Sequence, residues 1–97
     1  MRVFVSYTLR DSILTLWDFE RIVDKLSDHK VFIHFLNPHI DSHKKIKDII
    51  LESDLLLLIK TDEVFESKWV LDELNIANKA NIPLFFIDIN DIRSEVK

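Results

Sequence analysis

Apolar and polar positions along the chain change period several times, and each change marks an element. Arg2 to Ser6 is a short β-branched and aromatic run, which predicts a first strand. Behind it, Thr8-Leu9-Arg10-Asp11 has the Ser/Thr-x-x-acid form of a helix start. Across residues 11–27, Leu16, Phe19, Ile22, Val23 and Leu26 then recur at spacings of three and four, one helical face. Val31 to Leu36 is a second apolar run, closed by Asn37-Pro38. Asp41 or Ser42 can cap a second helix that places Ile46, Ile49 and Ile50 on one face and ends near Ser53-Asp54. Leu55 to Ile59 is apolar at every position, the pattern of a central parallel strand covered on both faces. Ser67 can cap a third helix, where Val70, Leu74 and Ala77 face one way and Trp69, Glu73 and Ile76 form a neighbouring stripe. Ile82 to Ile87 reads as the fourth strand, and its early Pro83 suits an edge or a strand start.

This alternation predicts an α/β fold. We expect one flavodoxin-like, three-layer α/β/α domain over residues 1–97, with a four-stranded parallel sheet in the order 2-1-3-4 and right-handed crossovers. Ligands of such sheets bind outside the carboxyl ends of the strands, at the switch between strands 1 and 3. Ser6, Tyr7 and Thr8, the loop from Asn37 to His43, and Lys60 to Glu66 all belong to that end. No fifth strand follows in the pattern, so Leu84-Phe85-Phe86 is expected at an open edge without a Lys or Glu to discourage pairing. A homo-oligomer or a partner segment should cover it.

Composition removes several function classes. At 47% hydrophobic residues the chain is not disordered, and no apolar run approaches the eighteen or so residues of a membrane span. Thirteen Lys and Arg against 17 Asp and Glu leave −4 with the signs interspersed, which argues against a nucleic-acid partner. No Cys means no disulfide, thiolate nucleophile or Cys-based zinc site, and the start lacks a signal-peptide h-region, so a cytoplasmic location is expected. No Gly means neither a G-x-G-x-x-G nor a P-loop phosphate cradle. His39 and His43 are four apart, but Pro38 makes a shared helical face implausible and no third ligand sits at a diagnostic distance, so no metal is expected. The run His43, Lys44, Lys45 and Lys47 reads either as a solvated face or as a contact for dinucleotide phosphates.

Three stretches, met in order, resemble the TIR (Toll/interleukin-1 receptor) domain family. Val3-Phe4-Val5-Ser6-Tyr7, followed by Asp11, is similar to its first-strand box, Phe-Ile-Ser-Tyr and then an acid. Val31-Phe32-Ile33 and the loop through Pro38 and Asp41 stand where the family has its second strand and BB loop. Ser67-Lys68-Trp69-Val70-Leu71-Asp72-Glu73-Leu74 resembles the family's Ser-x-Trp-Cys-x-x-Glu-Leu helix, and Ile82 to Asp88 its Ile-Pro-Ile fourth strand. The likeness runs from Arg2 to about Asp91, that of a short, bacterial-type member without the usual fourth helix, fifth strand and last helix. The BB loop lacks its usual Gly, and Thr8 stands where a basic residue often follows Ser-Tyr.

That resemblance implies either an enzyme or a binding module. Family members that cleave NAD+ depend on the glutamate of this helix, which carries the catalytic role onto Glu73. Breaking the nicotinamide–ribose bond builds positive charge on the ribose that a carboxylate can stabilise, and nicotinamide leaves as a neutral ring without an acid. NAD+ is then the substrate and no cofactor is required. Trp69, one turn before Glu73, either stacks on the nicotinamide or adenine ring or packs into the core. Tyr7 and Thr8 are the other expected substrate contacts. Asn37, Pro38, His39 and Asp41 form a BB-like loop for gating or docking. As a non-catalytic module, the chain would assemble through that loop with other TIR domains or with itself.

Overall fold

Four parallel strands carry the molecule. The computed structural model describes residues 1–94. In it β1 (Arg2–Ser6), β2 (Lys30–Ile33), β3 (Leu55–Lys60) and β4 (Leu84–Asp88) lie in the order β2-β1-β3-β4, as the alternation of strand and helix predicts. β1 pairs with β2 from Arg2↔Lys30 to Val5↔Ile33 and with β3 from Val3↔Leu55 to Ser6↔Leu58; β3 meets β4 from Leu56↔Leu84 to Lys60↔Asp88. Side chains alternate between the two faces. Val3, Val5 and Ile59 pack with Phe19 and Ile22 of α1 (Leu16–Lys25) and with Ile92 of a short α4 (Ile89–Arg93). Phe4, Leu56 and Leu58 pack instead with Ile46 and Ile50 of α2 (His43–Leu51) and with Val70 and Ala77 of α3 (Lys68–Lys79). Helices therefore cover both faces of β3, and this is why its sequence needs no polar position between Leu55 and Ile59.

Several boundaries differ from the sequence expectation: β4 begins at Leu84 and not Ile82, and three others have a local reason. Helix α1 does not begin behind Thr8: the Arg10 N–H bonds to Thr8 Oγ1 at 3.2 Å, and Ser12 turns left-handed at φ 56°, which closes a turn there. The cap is Thr15, whose side chain accepts from the Asp18 N–H while Asp18 accepts from the Thr15 N–H at 2.9 Å, a capping box seven residues further on. Strand β2 stops at Ile33 and not Leu36, because β1 offers it partners only as far as Val5, and residues His34–Leu36 wind into a 3-10 turn. Asn37 pins that turn by donating from Nδ2 to the Ile33 carbonyl at 2.9 Å. Lastly, α4 follows β4 directly, capped by Asp88. Where a helix end calls for a left-handed residue and Gly is absent, Asn81 supplies it at φ 60°, with the Ile82 N–H returning to the Ala77 carbonyl at 2.9 Å. Among the described residues, no helix is long and apolar enough to cross a membrane.

Candidate functional site

Alternation along β1 decides where the site forms. Phe4 points to the α2/α3 side, so Ser6, two residues later, points the same way and meets α3 at the carboxyl end of the strand. There the Ser6 hydroxyl donates to Glu73 Oε1 at 2.7 Å, with Ser6 fully buried and Glu73 only 5% exposed. Burial pushes the Glu73 carboxyl up to about 7; the hydrogen bonds from Ser6 and the Trp69 side chain pull it down, and the Asp72 charge adds to the rise. Glu73 is thus not a residue of a solvated helix face. It is a buried carboxyl poised to exchange a proton near neutral pH.

Above it lies a concave pocket of about 310 Å³ lined by Tyr7, Thr8, His34, Ser67, Trp69 and Glu73. Trp69 is 41% exposed, which removes the core-packing reading and leaves its ring available at the mouth. Two imidazoles flank that ring: His34 lies nearly parallel at 6.4 Å between centroids, and His43 meets it edge-on at 5.5 Å. Ser67 caps α3 by accepting from the Val70 N–H at 3.3 Å, which fixes the helix end that presents Trp69 and Glu73 one turn apart.

Tyr7 and Thr8 reach the pocket wall but are partly committed elsewhere. The Tyr7 ring packs edge-on against Phe19 at 4.8 Å, and burial, aided by the Glu73 charge, pushes its phenol up to about 12. Tyr7 therefore stays neutral, its oxygen already engaged by the Phe35 backbone, and what it can offer the pocket is its O–H. Thr8 is 5% exposed, and its hydroxyl oxygen already accepts from Arg10. Asn37, Pro38, His39 and Asp41 are absent from the pocket lining; Pro38, His39 and Asp41 are exposed, while Asn37 serves the β2 turn. Asp11, the acid of the first box, accepts from the Glu63 N–H at 3.0 Å and ties the loop after β1 to the loop after β3. Burial works against its ionisation, but that bond and its Thr61 neighbour hold the carboxyl below its ordinary range.

The sequence places Ser6 at the ligand-binding end of the sheet without its bond to Glu73, and His34 is a site residue that the sequence reading passes over. The period-2 alternation of β1 points to Ser6, since a small polar residue two after a core Phe must find a partner under α3. His34 carries no such signal, because the turn that swings it toward Trp69 depends on where β2 runs out of partners. Among the described residues no group of three or more His, Asp or Glu side chains could hold a metal. Compared with models of known families, with curated proteins and with solved structures, the chain matches none.

Proposed function

We propose that the chain is a TIR-type enzyme that cleaves NAD+ at the nicotinamide–ribose bond, with Glu73 as its catalytic carboxylate. The observation that carries this reading is the buried Glu73, held at Oε1 by Ser6, beneath a pocket that an exposed Trp69 overhangs. Nicotinamide stacks on Trp69 and the ribose sits over Glu73. As the C1′–N bond breaks, its electron pair returns to the ring, and the carboxylate faces the positive charge left on the ribose. Water then attacks C1′ to give a linear product, or a ring nitrogen of the adenine attacks it to give a cyclic one, and in either case one proton passes from the nucleophile's side to solvent. Charge stabilisation needs Glu73 ionised, so turnover should rise through about pH 7, where the carboxyl titrates.

A second reading, a non-catalytic module that docks through the loop at residues 37–41, is favoured by one observation. Glu73 is only 5% exposed, whereas Pro38, His39 and Asp41 are exposed and lie outside the pocket. Nicotinamide release from NAD+ separates the two. Under the enzyme reading, wild type releases nicotinamide and Glu73→Gln, which keeps the shape and removes the charge, loses about 100-fold or more. Equal release by both proteins would take Glu73 out of the mechanism, and no release by wild type would favour the docking module.

A further inference from the structure

β4 is an exposed apolar element. Phe85 and Phe86 are 54% and 56% exposed, on opposite faces of the strand, and Phe65 lies 6.5 Å from the Phe86 ring. Residues Leu84 to Ile87 carry no charge. Among the described residues no strand pairs with the outer side of β4. The N–H and C=O of one residue share a side and alternate along a strand. Since the Pro83 carbonyl accepts from Leu56 of β3 at 2.9 Å, the groups of Leu84 and Phe86 face outward. The following helix does not turn back over them: Arg93 ties α4 to Asp18 of α1 at 2.7 and 2.9 Å, and Ile92 is fully buried on that side. Beside the edge, Ile22, Lys25, Leu26, Leu57, Phe86 and Ile87 line an open, mostly apolar trough of about 240 Å³.

We propose that the outer edge of β4 is the interface of a symmetric dimer, in which β4 pairs antiparallel with β4 of a second copy. The occupant is a second copy because the strand complements itself. With the two-fold axis at Phe86, the two Phe86 residues exchange backbone hydrogen bonds, and Leu84 stands opposite Asp88, so no two carboxylates meet across the ladder. The same register sets Phe85 of one copy opposite Ile87 of the other, on the face that holds the trough, where a phenyl ring fills the apolar space. The association closes on itself at the β4 edge, with β2 left as the outer strand at each end of the combined sheet. Phe65, Phe85 and Phe86 supply on the order of 300 Å² per copy. Leu84, Ile87 and the backbone add to this, toward the lower end of the interface range of about 1,200 Å² in total, which suits a dimer of micromolar strength.

Sedimentation of the wild-type chain and of Phe85→Lys and Phe86→Lys, with residue-resolved amide exchange, tests this. Both rings are more than half exposed, so the variants should keep the wild-type far-UV spectrum as monomers. At about 100 μM the wild type should sediment as a dimer, and each variant should require at least tenfold higher concentration to associate. The Leu84 and Phe86 amides should exchange more slowly as wild-type concentration rises, while those of Phe85 and Ile87, bonded to β3, should not change. A monomeric wild type at that concentration overturns the proposal. So does a dimer that survives both lysines, or one in which the Leu84 and Phe86 amides ignore concentration. None of these outcomes depends on whether the chain cleaves NAD+.

Discussion

A carboxyl buried to 5% and still able to ionise near neutrality depends on its neighbours, and here the short bond from Ser6 does most of that work. A hydroxyl that donates to a carboxylate is worth about 1.5–3 kcal/mol to the charged form. Ser6 is therefore a positioning residue: it fixes Oε1 and keeps the Glu73 carboxyl from rising further. Ser6→Ala should move the Glu73 titration upward by about one pH unit or more, read directly from the carboxyl carbon by NMR. If nicotinamide is released, the pH at which turnover rises should follow by the same amount, while Ser6→Thr, which retains the hydroxyl, restores both. An unmoved titration in Ser6→Ala would mean that burial alone sets this carboxyl. The physical ground for looking at Ser6 was present in the sequence, in its place two residues beyond Phe4, whereas the ring contacts of His34 and His43 with Trp69 come from the path of a loop that no local pattern specifies.

Elements differ in how far local chemistry determines them. The four strands and the caps at Ser42 and Ser67 could be read from the chain because burial on both faces, period-2 alternation and cap residues are local signals. The start of α1 was misplaced because Thr8 and Thr15 both precede an acid by three residues, and only the Ser12 turn separates the two candidates. Helix α4 escaped notice for a different reason: five residues carry too little periodicity, and what holds them is tertiary. Arg93 grips the fully buried Asp18 through both carboxylate oxygens, at 2.9 and 2.7 Å, and donates to the Ile13 carbonyl at 2.9 Å. Removing the guanidinium strands a buried charge that also belongs to the α1 capping box. Arg93→Ala should cost about 3 kcal/mol in chemical denaturation and release α4, seen as fast exchange at its amides. A loss below about 0.5 kcal/mol, the range of an exposed pair, would show that Ile89 and Ile92 hold the helix without the ion pair.

At the scale of the whole molecule, Asp18 and Glu73 pull stability in opposite directions as pH changes. Asp18 lies below its ordinary 3.8, chiefly through the Arg93 hydrogen bond, so its contribution is complete above that value and is lost as pH falls through its native range. Glu73 lies near 7 in the native state against 4.5 unfolded. Below 4.5 it is neutral in both states and costs nothing. Between the two values the native state binds the extra proton, so stability falls as pH rises, and above about 7 the deficit is complete at roughly 3 kcal/mol. Maximum stability should accordingly sit near pH 4 to 5, lower than the usual window between about 5 and 8. Under the proposed function, the pH that charges Glu73 is the pH at which its burial costs the fold most. Denaturation at fixed protein concentration, which keeps any dimer contribution constant, should show a decline between pH 5 and pH 8 in wild type and a flatter profile in Glu73→Gln, with the two curves diverging as pH rises. Parallel curves across that range would place the Glu73 carboxyl in contact with water, and with it would go the argument that burial tunes this site.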